Sequence, residues 1–328
     1  MRSRRTLLDA ILLRCTKVLY SALYLILKRH GRPSSRVLPY TTGTHNQLRS
    51  DLGIVLQGPI DSEPSREYLL TTIKQLSCLI PPSNIVVSTW ENSKIDEKDT
   101  KGIAILVKSS DWGLRNNLQR QLKSTSIGLS ILSEQGIPYV AKQRVDQRFQ
   151  NLAIYENAQK LLLRFGEHRM VFSSRNSFYF RLFGFSDMFT VGSIENQKNF
   201  WNEDSDFSEW NPAISSYLNT DYPWPGTKKP PWSESWLNIR FAFNQGFEFS
   251  PEPWEDNLRF LRDSCVLLNS DFMGHVWRKD GSHLTTSAQR LMFHEKRLAK
   301  HREWCMEDWL SLYTGAWSEE SPETDQLF

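Results

Sequence analysis

Four short apolar runs, each closed by Gly, Pro or a polar cluster, punctuate the middle of the chain at residues 51–60, 84–90, 102–108 and 137–148. Between them, apolar residues recur at three- and four-residue spacing. Tyr68, Leu69, Ile73 and Leu76 make one helical stripe, and Leu114, Leu118, Leu122, Thr125, Leu129 and Leu132 make a longer one. Continuous apolar strands alternating with such helices predict an α/β fold whose parallel sheet is covered on both faces. A further helix is expected over residues 151–165 and a strand over 169–173. An aromatic segment, 175–189, then runs to a stop at Val191-Gly192. Residues 201–231, rich in Trp, Pro and acids, read as a long loop. Ser233 can cap the next helix, with Glu234 in its first turn and Trp236, Ile239, Arg240 and Phe243 continuing it.

The first 49 residues follow a different pattern. Leu8, Ile11, Leu12, Cys15, Leu19, Ala22, Leu23 and Ile26 share one helix face, with Arg14, Lys17 and Lys28 opposite. Its longest uncharged run, residues 18–27, is shorter than the ~20 residues of a membrane span. It also lacks the small-residue cleavage site of a signal peptide. An interfacial helix on anionic lipid is one reading and a helix docked on the protein's own core is the other. Residues 31–49 read as a linker and 317–328 as an acidic tail. The expected organisation is therefore 1–49, a main domain 50–316 (halves 50–200 and 201–316), and 317–328.

Charge sharpens that division. The net charge of the 328 residues is +3, from 40 basic and 37 acidic side chains. Residues 1–45 hold nine of the basic ones against the single acid Asp9, which leaves 31 basic and 36 acidic beyond them. An acidic body without helix-turn-helix or zinc-finger spacing argues against nucleic-acid binding. Twelve Trp and eighteen Phe crowd the second half, as core, or as platforms for carbohydrate faces. The four Cys form neither a disulfide framework nor a zinc site, and reduced cytosolic thiols account for them. No GxGxxG, Walker A, HExxH, GxSxG or EF-hand sequence occurs.

Candidate chemistry concentrates at the end of the fourth run. Alternation puts Lys142, Arg144 and Asp146 on one strand face. In open α/β sheets, ligands bind outside the carboxyl ends of the strands, and two cations beside one carboxylate suit an anionic ligand. A salt-bridged strand end without catalytic meaning would look the same. Gly58 lets a ligand approach the backbone after the first strand. Asn117 and Arg120 lie in the first turns of the long helix, where a phosphate can bind.

The segments Ile54-Val55-Leu56-Gln57-Gly58-Pro59-Ile60, Val87-Ser88-Thr89-Trp90, Leu106-Val107-Lys108-Ser109, Arg120-Gln121 and Tyr139-Val140-Ala141-Lys142-Gln143-Arg144-Val145-Asp146-Gln147, with Ser186-Asp187-Met188-Phe189 after them, resemble the WavE lipopolysaccharide synthesis family. The resemblance spans roughly residues 52–200. It implies a GT-A-like α/β domain that transfers sugar from a nucleoside-diphosphate sugar to a glycan or glycolipid acceptor, at the inner face of the cytoplasmic membrane. By the same implication Gln57, Gly58, Pro59, Thr89, Trp90, Ser109, Asn117, Arg120, Lys142 and Arg144 would bind the donor. Glu234 would be the catalytic base, with Asp187 second. GT-A enzymes often hold the diphosphate through a metal on a DxD motif. Here the sequence is Arg144-Val145-Asp146, so Asp146 is either a single Mg²⁺ or Mn²⁺ ligand or a contact to the donor sugar. The cations are the alternative neutralisers. A non-catalytic carbohydrate-binding protein on the same fold is the alternative function.

Overall fold

The computed structural model describes residues 48–110, 117–179, 181–203, 233–269, 274–277 and 303–317. The expected N-terminal helix, most of the linker, the loop from 204 to 232 and the tail from 318 lie outside them.

Within the described chain the apolar runs become strands. They are β1 (Leu52–Gln57), β2 (Ile85–Trp90), β3 (Ile105–Ser109) and β4 (Tyr139–Arg144). Every residue of β1 and β2 is buried, the pattern of strands covered on both faces. Helices α1 (Glu63–Leu76), α2 (Glu97–Thr100) and α3 (Asn117–Glu134) separate them. The stripe Leu118, Leu122, Thr125, Leu129 and Leu132 is the buried face of α3. Gly128 sets the closeness of that contact, since a Cβ there would lie 2.7 Å from Val55 Cγ1.

A short strand, β5 (Gln147–Phe149), leads to α4 (Ala153–Phe165) and β6 (Met170–Ser173). The expected stop at Val191-Gly192 is instead the interior of a strand, β7 (Phe189–Ser193). It lies antiparallel between β4 and β6. Gly192 belongs there for lack of space, because a Cβ would meet Met170 Sδ at 2.4 Å. α5 (Ile194–Phe200), α6 (Ser233–Asn244) and α7 (Pro253–Ser264) follow, then β8 (Cys265–Leu268), β9 (His275–Trp277) and α8 (Met306–Thr314). Ser233 is the first residue of α6 rather than its cap, and Glu234 is in the first turn as expected.

The sheet order is β3-β2-β1-β4-β7-β6-β8, with β5 and β9 as a separate ribbon. The pairings make six strands run one way, with β7 alone reversed. The chain leaves β1 for β2 and β3 on one side and returns to β4 on the other. The switch point is therefore the gap between the carboxyl ends of β1 and β4, where an open α/β sheet forms its crevice. Because β7 is reversed, the residues preceding it also sit at that edge, opposite the end of β4.

One cluster of buried apolar side chains runs from Leu52 to Leu312. The described aromatics of the second half are largely its filling. Phe183, Phe185, Phe241 and Phe260 are fully buried and pack ring against ring. Trp201, expected to open the long loop, is fully buried too; Trp210 and Trp224 lie outside the described residues. Arg240 fastens α6 to the end of α5, donating to the carbonyls of Phe200 and Asn202 (2.7 Å) and stacking over Trp236.

Candidate active site at the strand switch point

The two strands that define the gap are zipped to its rim. Gln57 is in register with Arg144 and with Ser88, and Val145 N–H donates to the Gln57 carbonyl. Gly58 turns the chain away with φ +140°, and a Cβ there would stand 3.0 Å from Val145 Cγ2. Only glycine meets both demands, and its bare backbone forms the floor of the gap. Thr89 Oγ1 donates to the Gly58 carbonyl (2.8 Å), and Ser109 Oγ to the Thr89 carbonyl. Both hydroxyls, with the buried Trp90, thus brace the strand ends. Pro59 follows on the exposed rim. Asn117 is exposed at the start of α3 and Arg120 partly buried one turn later; residues 111–116 before them lie outside the described chain.

Lys142 and Arg144 alternate on one side of β4, and Asp146, expected on the same strand face, lies instead in the turn after β4, where it meets Arg144. Arg144 grips Asp146 with a fork, Nε to Oδ1 at 3.0 Å and Nη2 to Oδ2 at 3.3 Å, both side chains slightly exposed. Burial opposes the Arg144 charge, yet Asp146, aided by Asp187 and Glu234, raises its pKa above the ordinary value. Lys142 has no exposed surface. Its Nζ donates to the Asp187 carbonyl (2.7 Å) and lies 4.2 Å from the centre of the Trp201 ring. Lys142, expected at the diphosphate, has its ammonium engaged by the Asp187 carbonyl inside the protein. It is a fixed internal charge.

Asp187 and Glu234, far apart in sequence, arrive at the same place by separate routes. Asp187 lies two residues before β7, in a segment knitted by Ser177 Oγ, which donates to the Ser173 carbonyl and accepts from Ser186 N–H. Asn238, one turn into α6, donates to the carbonyls of both Phe185 (3.0 Å) and Glu234 (2.8 Å), which staples the helix start to that segment. Burial raises the Glu234 pKa from its ordinary value and the Asp187 charge adds to it, while Arg181 and Arg144 pull it down. Arg181, buried and 3.5 Å from the Glu234 carboxylate, is the member that sequence reading missed. Its neighbours are mostly aromatic, and nothing local marks it. Its guanidinium lies over the Phe178 ring.

Burial, the largest influence, brings the Lys142 pKa from 10.5 down to about 8; the Asp187 charge opposes it. Between about 8 and 10.5 the unfolded chain carries this proton and the folded chain does not, so stability rises with pH across that window. Lys142→Met should lack that rise. Denaturant titrations of both proteins at pH 7.5, 9 and 10 check it.

Asp146 is the residue expected to ligate a divalent ion. Both Asp146 oxygens are engaged by Arg144, and among the described residues no group of three His, Cys, Asp or Glu is arranged to hold one. A cavity of 390 Å³ beside Arg259, Arg262 and Trp317 includes none of the site's residues.

Fold and site together define an α/β protein with a mixed, mostly parallel seven-stranded sheet and a cluster of charged side chains at its switch point. The chain belongs to the WavE lipopolysaccharide synthesis family, which matches residues 52–222, and its role lies in lipopolysaccharide synthesis. No curated protein matches it in sequence. Among solved structures it is similar to a cytidylyltransferase from Leptospira borgpetersenii, at 14% identity over 65% of this chain and 94% of that one, TM-score 0.31. It is also similar to mouse xyloside xylosyltransferase 1 (9%, 62% and 85%, 0.35) and to a nucleoside-diphosphate-sugar pyrophosphorylase from Vibrio cholerae (9%, 69% and 94%, 0.36). Among the described residues no helix is long and apolar enough to cross a membrane.

Proposed function

We propose that the chain is a glycosyltransferase, moving a sugar from a nucleoside-diphosphate sugar to a lipopolysaccharide or other surface-polysaccharide acceptor. The observation that carries this reading is the convergence, at one switch point, of Arg144 and the buried Lys142 with three carboxylates, Asp146, Asp187 and Glu234. Gly58 and Gln57 form the floor on which a nucleotide diphosphate lies. Arg144, with Arg120 approaching from α3, binds the diphosphate, and the field of Lys142 favours negative charge as the leaving group departs. Preformed cations of this kind need no metal to neutralise a diphosphate. Glu234, its proton affinity raised by burial, takes the proton of the acceptor hydroxyl, and Asp146 orients the donor sugar. The basic N-terminal segment, read as an interfacial helix, would hold the enzyme at an anionic leaflet where a lipid-linked acceptor is presented.

The non-catalytic alternative finds less support, because most of the described aromatics of the second half are spent in the core, Phe243 and Tyr313 being the exposed ones. The two readings separate in cells whose only copy carries Asp146→Ala and Glu234→Ala. The transferase reading expects the surface glycan to be truncated while the protein still accumulates. An intact glycan would leave only the binding role.

A further inference from the structure

Beside the charged crevice lies a second polar feature that the reading above does not use. β5 begins directly after Asp146 and pairs antiparallel with β9, placing Gln147 opposite Trp277 and Phe149 opposite His275. Residues two apart on one strand face the same way, and so does the directly opposed residue of its partner. Gln147, Phe149 and His275 therefore share one face of the ribbon. The Phe149 ring packs on His275 (5.0 Å) and on Phe189 (4.7 Å), so that face is turned toward the sheet.

Gln147 is fully buried, and neither its amide oxygen nor its amide nitrogen has a partner. The nearest amide is already committed: Gln143 Nε2 donates to the Gln147 carbonyl (2.7 Å), and Gln143 Oε1 accepts from Tyr155 Oη. Both ring nitrogens of His275 are likewise shut off from water and unpartnered. Burial and the nearby Arg175 hold its pKa down at about 3, against the pull of Asp146, so the ring is neutral. Four buried polar atoms without partners are a standing cost to the fold. Such groups call for a specific reason.

Chemistry indicates what would satisfy them. A neutral amide and a neutral imidazole each offer donor and acceptor, and a hydroxyl needs both. A charged ligand would be poorly served, whereas a polyol would be well served. Asp146 is the adjoining residue of the chain, and its side chain is still 13% exposed. The Asp146 charge reaches His275, which sets this unpartnered pair beside the residues proposed to hold the diphosphate. We infer that Gln147 and His275 read the hydroxyl groups of the donor sugar, an inference that rests on the transferase reading.

Gln147→Leu and His275→Phe keep the shape and remove the polar atoms, and His275→Gln keeps a neutral donor and acceptor. Calorimetric titration of each folded variant would compare UDP-glucose and GDP-mannose with UDP and GDP. For the nucleotide the wild type accepts, affinity for the sugar nucleotide should fall about tenfold in both apolar variants, roughly one charge-free hydrogen-bonded site's worth. Affinity for the bare diphosphate should stay within twofold, and His275→Gln should recover most of the loss. Thermal melting should show the apolar variants at least as stable as wild type, since an orphaned group has been removed. Equal affinities for the sugar nucleotide in all variants would overturn the inference and leave the transferase reading intact. So would a parallel loss for UDP or GDP, which would move these residues to the base or the phosphates. A wild type that binds no nucleotide would overturn both.

Discussion

Glu234→Gln should lower the rate of sugar transfer by about 10²- to 10⁴-fold, the usual contribution of a general base, without loss of the fold. The wild-type group is held among Arg181, Asp187 and Arg144, and burial raises its pKa from 4.5. A base works ionised, so wild-type activity should fall as pH drops through that raised pKa, and the residual activity of the variant should lack this limb. Stability runs the other way. Between pH 4.5 and the raised folded pKa, the folded chain holds a proton that the unfolded chain has released, so the wild type loses stability as pH rises across that range. Glutamine has nothing to ionise. Loss of the carboxylate facing the buried Arg181 offsets part of the resulting gain in stability, so the variant should melt close to wild type at neutral pH while being nearly inactive. Transfer retained within threefold would assign the base elsewhere, with Asp187 the next group in the crevice.

The second large effect belongs to Arg144. Arg144→Met removes the cation nearest the expected diphosphate and leaves the Asp146 carboxylate without its fork. Affinity for the nucleoside diphosphate should fall at least 100-fold, on the order of a single charge's contribution in a site shielded from bulk water. Stability should drop by roughly 1–3 kcal/mol for the stranded carboxylate, and a urea titration reads this directly. Arg144→Lys should recover the stability in part and the affinity less, because an ammonium cannot make the two parallel bonds of a guanidinium. Equal recovery of both would mean that only charge matters at this position.

The physical signals that made some of this legible in sequence are uneven. β1 to β4 stand out because strands buried on both faces are continuous apolar runs with turn residues at each end. β7 was hidden because its Gly192 looked like a break, whereas it is a strand residue squeezed against Met170. β8 follows α7 with no turn residue between Ser264 and Cys265, so the change of period had no punctuation. In the site, alternation placed Lys142 and Arg144 on one face, but Asp146 reaches Arg144 from the turn after the strand rather than from the strand itself. Nor did alternation separate the buried internal charge from the ligand-facing one, which depends on Trp201 and Asp187 closing over Lys142. Arg181 sits in an aromatic run, and its meaning depends on α6 delivering Glu234 beside it. Gln147 and His275 are joined by a ribbon pairing that no local pattern announces.

The central claim is that the crevice between β1 and β4 is built for a nucleoside diphosphate, held by cations rather than by a metal. Calorimetric titration of the full chain with UDP, GDP, CDP and ADP, each with and without Mn²⁺, tests it most directly. The account predicts micromolar binding of one diphosphate over the other three, unchanged by Mn²⁺ and lost in Arg144→Met. Binding that requires Mn²⁺ would contradict the metal-free crevice, and no binding of any diphosphate would contradict the account itself.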